Sequence, residues 1–240
     1  MKETRRLPGT IIFLAILALC ALFLLNAPFL AISQIAVTGN GTVSDEEILS
    51  AGGLAVGQNF FSLSGKKAHE GISKLPLIAQ ASITKNFPDK VTVTVRERIS
   101  RAYVAMPSRN VFLLVDEEGY VLSALPAMTE ELPLVSGVSF DSFMIGESLD
   151  EYIDANFSRV IVFASLLNKY GLDIVSKIDL SNSANVILSL GDVTVHFGQL
   201  TELDKKVQDL VSMVDRLPEK ANGLLDMSVS GQMPVFKSFQ

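Results

Sequence analysis

Ser64-Gly-Lys-Lys67 sets a serine and a lysine at the Ser-x-x-Lys spacing of penicillin-binding enzymes, and Ser183-Ala-Asn185 could pass for their Ser-x-Asn. That acyl-transfer chemistry needs the serine and lysine one helical turn apart in a cleft, with a Lys-Thr-Gly strand opposite. No Lys-Thr-Gly occurs in the chain. Ser64 also stands where a helix should start, a position that favours serine as a cap. The two histidines do not complete a triad. His69 lies in the polar stretch Lys66 to Glu70, and His196 alternates with Val195 and Phe197, so it points away from them. No Gly-x-Ser-x-Gly is present, and Gly39-Asn-Gly41 lacks the third glycine and the lysine of a phosphate-cradling loop. Asp116-Glu-Glu118 reads as a solvated turn, and Phe60-Phe61 as packing between helix and sheet. Neither histidine has a Cys or His partner at ligand spacing, and the one cysteine, Cys20, lies in an apolar run. The expectation is a chain with no catalytic, cofactor or metal site and no small-molecule substrate. A net charge of −6, with no Lys/Arg cluster interleaved with aromatics, disfavours nucleic acid as a partner.

The elements around these residues fall into two parts. In 31–100, Ile35 and Val37 alternate before the Gly39-Asn-Gly41 turn, and Ser44-Asp-Glu-Glu47 forms a capping box for a short helix carrying Ile48 and Leu49. Ser64 opens a second helix with Ala68, Ile72 and Leu75. A strand from Ile78 to Lys85, a turn at Asn86–Asp89, and the alternating Val91, Val93 and Val95 complete a β-α-α-β-β unit. Its expected core is Val37, Ile48, Ile72, Ile83, Val93 and one of Val91 or Val95.

In 101–240 a hairpin pairs Val111–Val115 with Tyr120–Leu122. Ser148-Leu-Asp-Glu151 caps an amphipathic helix bearing Ile153, Phe157, Val160, Ile161, Ala164 and Leu167. Gly191-Asp192 joins Val186–Leu190 to Val193–Phe197 as a tight hairpin. Thr201 begins a last helix, and Leu224–Val229 and Met233–Phe239 read as β segments. The predicted class is α+β, with a mostly antiparallel sheet carrying two helices in the second part.

No charged residue lies between Arg6 and Asp45, and the run over 7–30 is long enough for a helix to cross a bilayer. Lys2, Arg5 and Arg6 precede it, and the flank after it carries no Lys or Arg, which places the 1–6 tip in the cytoplasm and the body outside the inner membrane. A cleaved signal peptide fits less well: the run is longer than such segments need, and Leu25-Asn26-Ala27 is a poor cleavage site. A lipoprotein site at Cys20 is opposed by the bulky Leu19 and by the apolar run continuing past it.

Taken in order, Ile32–Asn40, Gly57-Gln-Asn-Phe-Phe61, Lys85-Asn-Phe-Pro-Asp89 and Val91–Arg98 resemble a POTRA domain. Leu114-Val-Asp116, Leu132-Pro-Leu-Val-Ser-Gly137, Ile178-Asp-Leu180, Val195-His-Phe-Gly198 and Leu225-Asp226 continue a resemblance to the bacterial division proteins FtsQ/DivIB. The resemblance implies a non-enzymatic divisome scaffold that crosses the inner membrane once and links early to late division proteins at the septum. Its partners would be the FtsB/FtsL pair, with FtsK and FtsW/FtsI as further candidates. It also implies that a terminal strand pairs with FtsB, which by position maps to Ser228, Val229, Ser230, Gly231, Gln232 and Met233, with Phe236 as an aromatic contact. The tip is shorter than in many relatives, and the chain has no Trp. A POTRA-containing transport or assembly adaptor is the alternative, but it calls for a following β-barrel that the second part is too short to form.

Overall fold

A computed structural model describes residues 9–25, 30–153, 157–218, 220–229 and 233–239. The chain divides by contact into two units, residues 1–97 and 98–240.

In the first unit the apolar run forms α1 (Gly9–Leu25), whose side chains from Ile11 to Leu19 are all exposed. Its 17 residues rise about 26 Å, and among the described residues no helix is long and apolar enough to cross a membrane. The rest of the span expected over 7–30, residues 7, 8 and 26–29, lies outside the described residues, as does the 1–6 tip.

Beyond α1 come β1 (Gln34–Thr38), α2 (Asp45–Gly52), α3 (Gly65–Ile72), β2 (Ile78–Asn86) and β3 (Lys90–Glu97), with sheet order β1-β3-β2. The alternation of β3 makes it the central strand, parallel to β1 and antiparallel to β2. Val91, Val93 and Val95 share one face and are all buried, packed into one core with Ile48 of α2 and Ala68 and Ile72 of α3. Sequence reasoning asked for only one of the outer valines; the two-residue period of a strand buries both. Val37 and Ile83 are half-buried. The Ser44 hydroxyl accepts the Glu47 N–H at 3.2 Å, as the capping box requires. At the start of β3, Ser33 N–H donates to Asp89 O, Ile32 N–H to Gln58 O and Phe60 N–H to Leu30 O. These bonds gather Leu30, the β2–β3 turn and the loop around Phe60 at one end of the unit.

The second unit contains β4 (Ser100–Met106), β5 (Val111–Asp116), β6 (Val121–Leu125), β7 (Leu134–Ser136), α4 (Phe157–Lys169), β8 (Val175–Asp179), β9 (Val186–Leu190), β10 (Val193–Gly198), α5 (Leu203–Val214), β11 (Gly223–Asp226) and β12 (Val235–Ser238). They form a nine-stranded sheet in the order β12-β11-β10-β9-β8-β7-β4-β5-β6. Most neighbours are antiparallel; β4–β7, β7–β8 and β10–β11 are parallel. Ile161, Phe163 and Leu167 of α4 and Val207 and Leu210 of α5 join one core with the sheet, and Phe163 meets Phe197 at 4.6 Å between ring centroids. Arg98 opens this unit. Its guanidinium stacks on Tyr120 at 3.6 Å and pairs with Asp116 and Glu118.

Two expectations change here. Ser148 accepts a bond from Asp150 N–H, but it caps only a short 3-10 turn, Leu149–Glu151. The described helix starts at Phe157, with 154–156 outside the described residues. Sequence reasoning also drew no strand at β4 or β7. In β4, Ala102, Tyr103 and Val104 are consecutive and all buried, so no alternation marks them. The Tyr103 hydroxyl is satisfied by the N–H groups of Thr129 at 3.0 Å and Glu130 at 3.1 Å.

Candidate partner-binding edge

β10 and β11 run parallel, a pairing that needs a long crossover, which α5 supplies. β11 then carries the outermost strand, β12, antiparallel in the register Leu224↔Lys237 and Leu225↔Phe236. Leu225 is fully buried beneath it.

Asp226 ends β11. Its Oδ1 accepts the Ser228 N–H at 3.0 Å and the Ser228 hydroxyl at 2.7 Å, an Asx turn that pulls the chain out of the ladder. The Ser228 main-chain N–H and then its hydroxyl hold the Asp226 carboxyl below its ordinary pKa. The same stretch lies tight against the bulge of β10. Gly198 has φ 78°, and a Cβ there would sit 2.7 Å from Ser228 O, so both backbone angle and space require glycine.

Of the docking strand expected at Ser228–Met233, the described residues are Ser228, Val229 and Met233. Ser228 belongs to the turn, and Val229 and Met233 are exposed. Ser230, Gly231 and Gln232 lie outside the described residues. Among the described residues of that set, Phe236 alone falls in the edge strand, where it packs against the core of the unit.

The direction of the β12 edge follows from one bond. Phe239 N–H donates to Asn222 O at 2.9 Å, so by antiparallel alternation Lys237 and Val235 also turn their main-chain groups toward β11. Those of Phe236 and Ser238 face away, and no described strand pairs with them. The sequence reads Met233–Phe239 as β, and β12 falls within that range.

Beside this edge runs a groove of about 670 Å³ between α5 and the chain after β11, lined among others by Lys205, Asp209, Met213, Arg216, Met227 and Val229. Lys206 lies at its floor. The Nζ donates to Phe197 O at 2.6 Å and Gln199 O at 2.9 Å, and stands 4.4 Å from the Phe197 ring centroid. Burial pushes its pKa down. These contacts pin α5 to the end of β10 and so hold the crossover that positions β11.

The residues that could do chemistry lie elsewhere. The Ser64 hydroxyl accepts the Lys67 N–H at 3.3 Å as the cap of α3. His69 Nδ1 stands 2.9 Å from Ala81 O. Ser183 and Asn185 belong to a turn in which Asn185 N–H donates to Asn182 O. Among the described residues no group of three or more His, Cys, Asp or Glu could hold a metal ion.

A POTRA-type unit followed by a sheet domain defines the class: residues 30–98 match the family model described as POTRA domain, FtsQ-type, and 102–228 match that of cell division protein FtsQ/DivIB, C-terminal. The chain belongs to the FtsQ/DivIB family of cell division proteins. It is 26% identical to cell division protein DivIB of Clostridium botulinum (strain Hall) over 98% of this chain and 93% of that one. It is 26% identical to cell division protein FtsQ of Syntrophotalea carbinolica over 85% of this chain and 71% of that one. With DivIB of Bacillus subtilis it shares 33% identity over 50% of this chain and 45% of that one. The solved major extracytoplasmic domain of the trans isomer of DivIB from Geobacillus stearothermophilus aligns with 51% of this chain and 98% of that chain, at 18% identity and a TM-score of 0.32.

Proposed function

We propose that this division protein is a membrane-anchored scaffold without catalytic activity of its own, and that the outer edge of β12 takes up a strand of the FtsB/FtsL pair. The observation that supports the docking reading is the outer edge at Phe236 and Ser238, which no described strand meets. A partner's main chain can complete such an edge, with its side chains adding specificity by alternation. Val235, Lys237 and Phe239, on the side opposite the half-buried Phe236, offer two apolar groups and a cation to that partner.

The anchor reading rests on the apolar run of 7–30, which continues in sequence past both ends of α1, and on the basic flank at Lys2, Arg5 and Arg6. It places the two units outside the cytoplasmic membrane at the septum, with FtsK and FtsW/FtsI as further partners within reach. An enzyme reporter active only outside the cytoplasm, fused after Gln240, tests it: activity is expected, and its absence overturns the orientation.

The docking test is a titration of the FtsB/FtsL pair onto the full chain and onto Ser238→Pro. Proline removes the outward N–H and leaves the inward ladder in place. Binding should fall at least tenfold, about 1.4 kcal/mol, while Ser238→Ala binds like the parent. Unchanged binding by Ser238→Pro, with circular dichroism intact, moves the docking edge elsewhere. The non-catalytic reading is tested by Ser64→Ala. Loss of the cap should cost about 1 kcal/mol and leave cell division intact.

A further inference from the structure

We propose that Phe61 and Phe87 form an apolar footing that rests the first unit on the headgroup region of the bilayer; this depends on the reading of α1 as an anchor. The two rings are 52% and 70% exposed, and Val56, five residues before Phe61, is 64% exposed. They are held rather than free. Phe60 is buried, and its ring meets Phe61 at 5.7 Å and Phe87 at 6.0 Å, while Phe61 and Phe87 stand 6.4 Å apart. Lys85 sits over Phe60 at 5.0 Å and donates to Leu63 O at 2.8 Å. The β2–β3 turn and the Phe60 loop thus present one aromatic cluster to solvent.

The chain path says what covers it. Phe60 N–H bonds to Leu30 O at 2.8 Å, so the cluster is built around Leu30. Leu30 follows Leu25, the last residue of the apolar helix, by five positions, and five residues span at most about 18 Å. With α1 in a bilayer, the cluster is tethered within that distance of the interface. Amphipathic and aromatic side chains favour this depth, and apolar surface gains by entering it. Lys85 and Lys90 bracket the turn, with Asp89 as the acid between them, so the footing also suits anionic headgroups. The opposite end of the unit, where Glu97 accepts the Thr42 N–H, is the full length of β3 away and has no such cluster among the described residues.

The chain has no Trp, so a single introduced one is a clean reporter. Full-length Phe61→Trp and Phe87→Trp proteins would be reconstituted into phosphatidylcholine–phosphatidylglycerol vesicles with bromine near the glycerol end of the acyl chains. Both positions are exposed, so Trp fits without repacking. The expected result is a blue-shifted emission and loss of most of the fluorescence, while Thr42→Trp keeps its emission. Phe13→Trp, read with lipids brominated at mid-chain, reports the anchor separately. Quenching at Phe13→Trp without quenching at positions 61 and 87 overturns the footing alone and leaves the anchor standing; that result would point to a protein partner for the patch. No quenching at Phe13→Trp overturns the anchor, and the footing with it.

Discussion

The two ends of the nine-stranded sheet are treated differently. At one end β6 is strapped: Val121 N–H donates to Glu147 O at 2.9 Å, and Gly146 N–H returns a bond to Val121 O at 2.8 Å. At the other end β12 offers outward main-chain groups that no described strand meets. An unprotected edge invites pairing with any other strand, so edges without a purpose are blunted or covered. The strap meets β6 at its first residue, Val121, and on the proposed docking β12 is the end kept available.

The largest effect should come from removing the support of that edge. Leu225→Asp puts an unpaired carboxylate under β12, at about 3–5 kcal/mol, a large share of a typical domain's stability. Urea unfolding should show it, and partner binding should vanish with the fold. Next comes a contrast of two prolines on adjacent residues. Lys237→Pro removes an N–H facing β11 and should cost about 1–3 kcal/mol in unfolding, whereas Ser238→Pro should lose the partner and keep the urea midpoint. Equal unfolding midpoints for the two would show that the edge direction has been misassigned.

Breaking the strap at the far end should cost less. Gly146 has φ 88°, and Gly146→Val places a β-branched residue there at about 1–3 kcal/mol. If the strap protects β6, this variant should self-associate with concentration in analytical ultracentrifugation while still binding the partner. The smallest effect concerns Asp226. Its folded pKa lies below the ordinary 3.8, so its contribution is complete above that value and is lost as pH falls through the depressed one. Asp226→Asn should therefore show a flatter acid limb in stability as pH falls below the ordinary carboxylate range, with little change at neutral pH.

Much of the fold was legible because side-chain period and geometry agree. Val91, Val93 and Val95 announce a strand with one buried face, Ser44 caps its helix as the Ser-x-x-Glu spacing requires, and Gly191-Asp192 turns between β9 and β10. The misses have physical causes. β4 is buried on both faces and carries no alternation, and β7 is only three residues long. Nor does spacing show that β11 ends at Asp226, whose carboxyl takes up the Ser228 N–H and hydroxyl, or that the described edge strand is Val235–Ser238. Spacing could not reveal that Lys206 spends its ammonium on two main-chain carbonyls, because its partners are set by the crossover. For Ser64 and Lys67 the spacing is real, but it is used for a cap.

Strand order carries a consequence for the timing of assembly. β12 is the latest described strand in sequence and sits at the extreme of the sheet, laid on β11, which is laid on β10 only after α5 has crossed over. Long-range parallel pairing is slow to form, and each outer strand needs its inner neighbour as a template. The outer edge at Phe236 and Ser238 thus exists only once the layers beneath it are in register. On the proposed docking, a partner that reads this edge would select finished molecules over stalled, truncated or misfolded ones, and recruitment would double as an inspection of the chain that recruits.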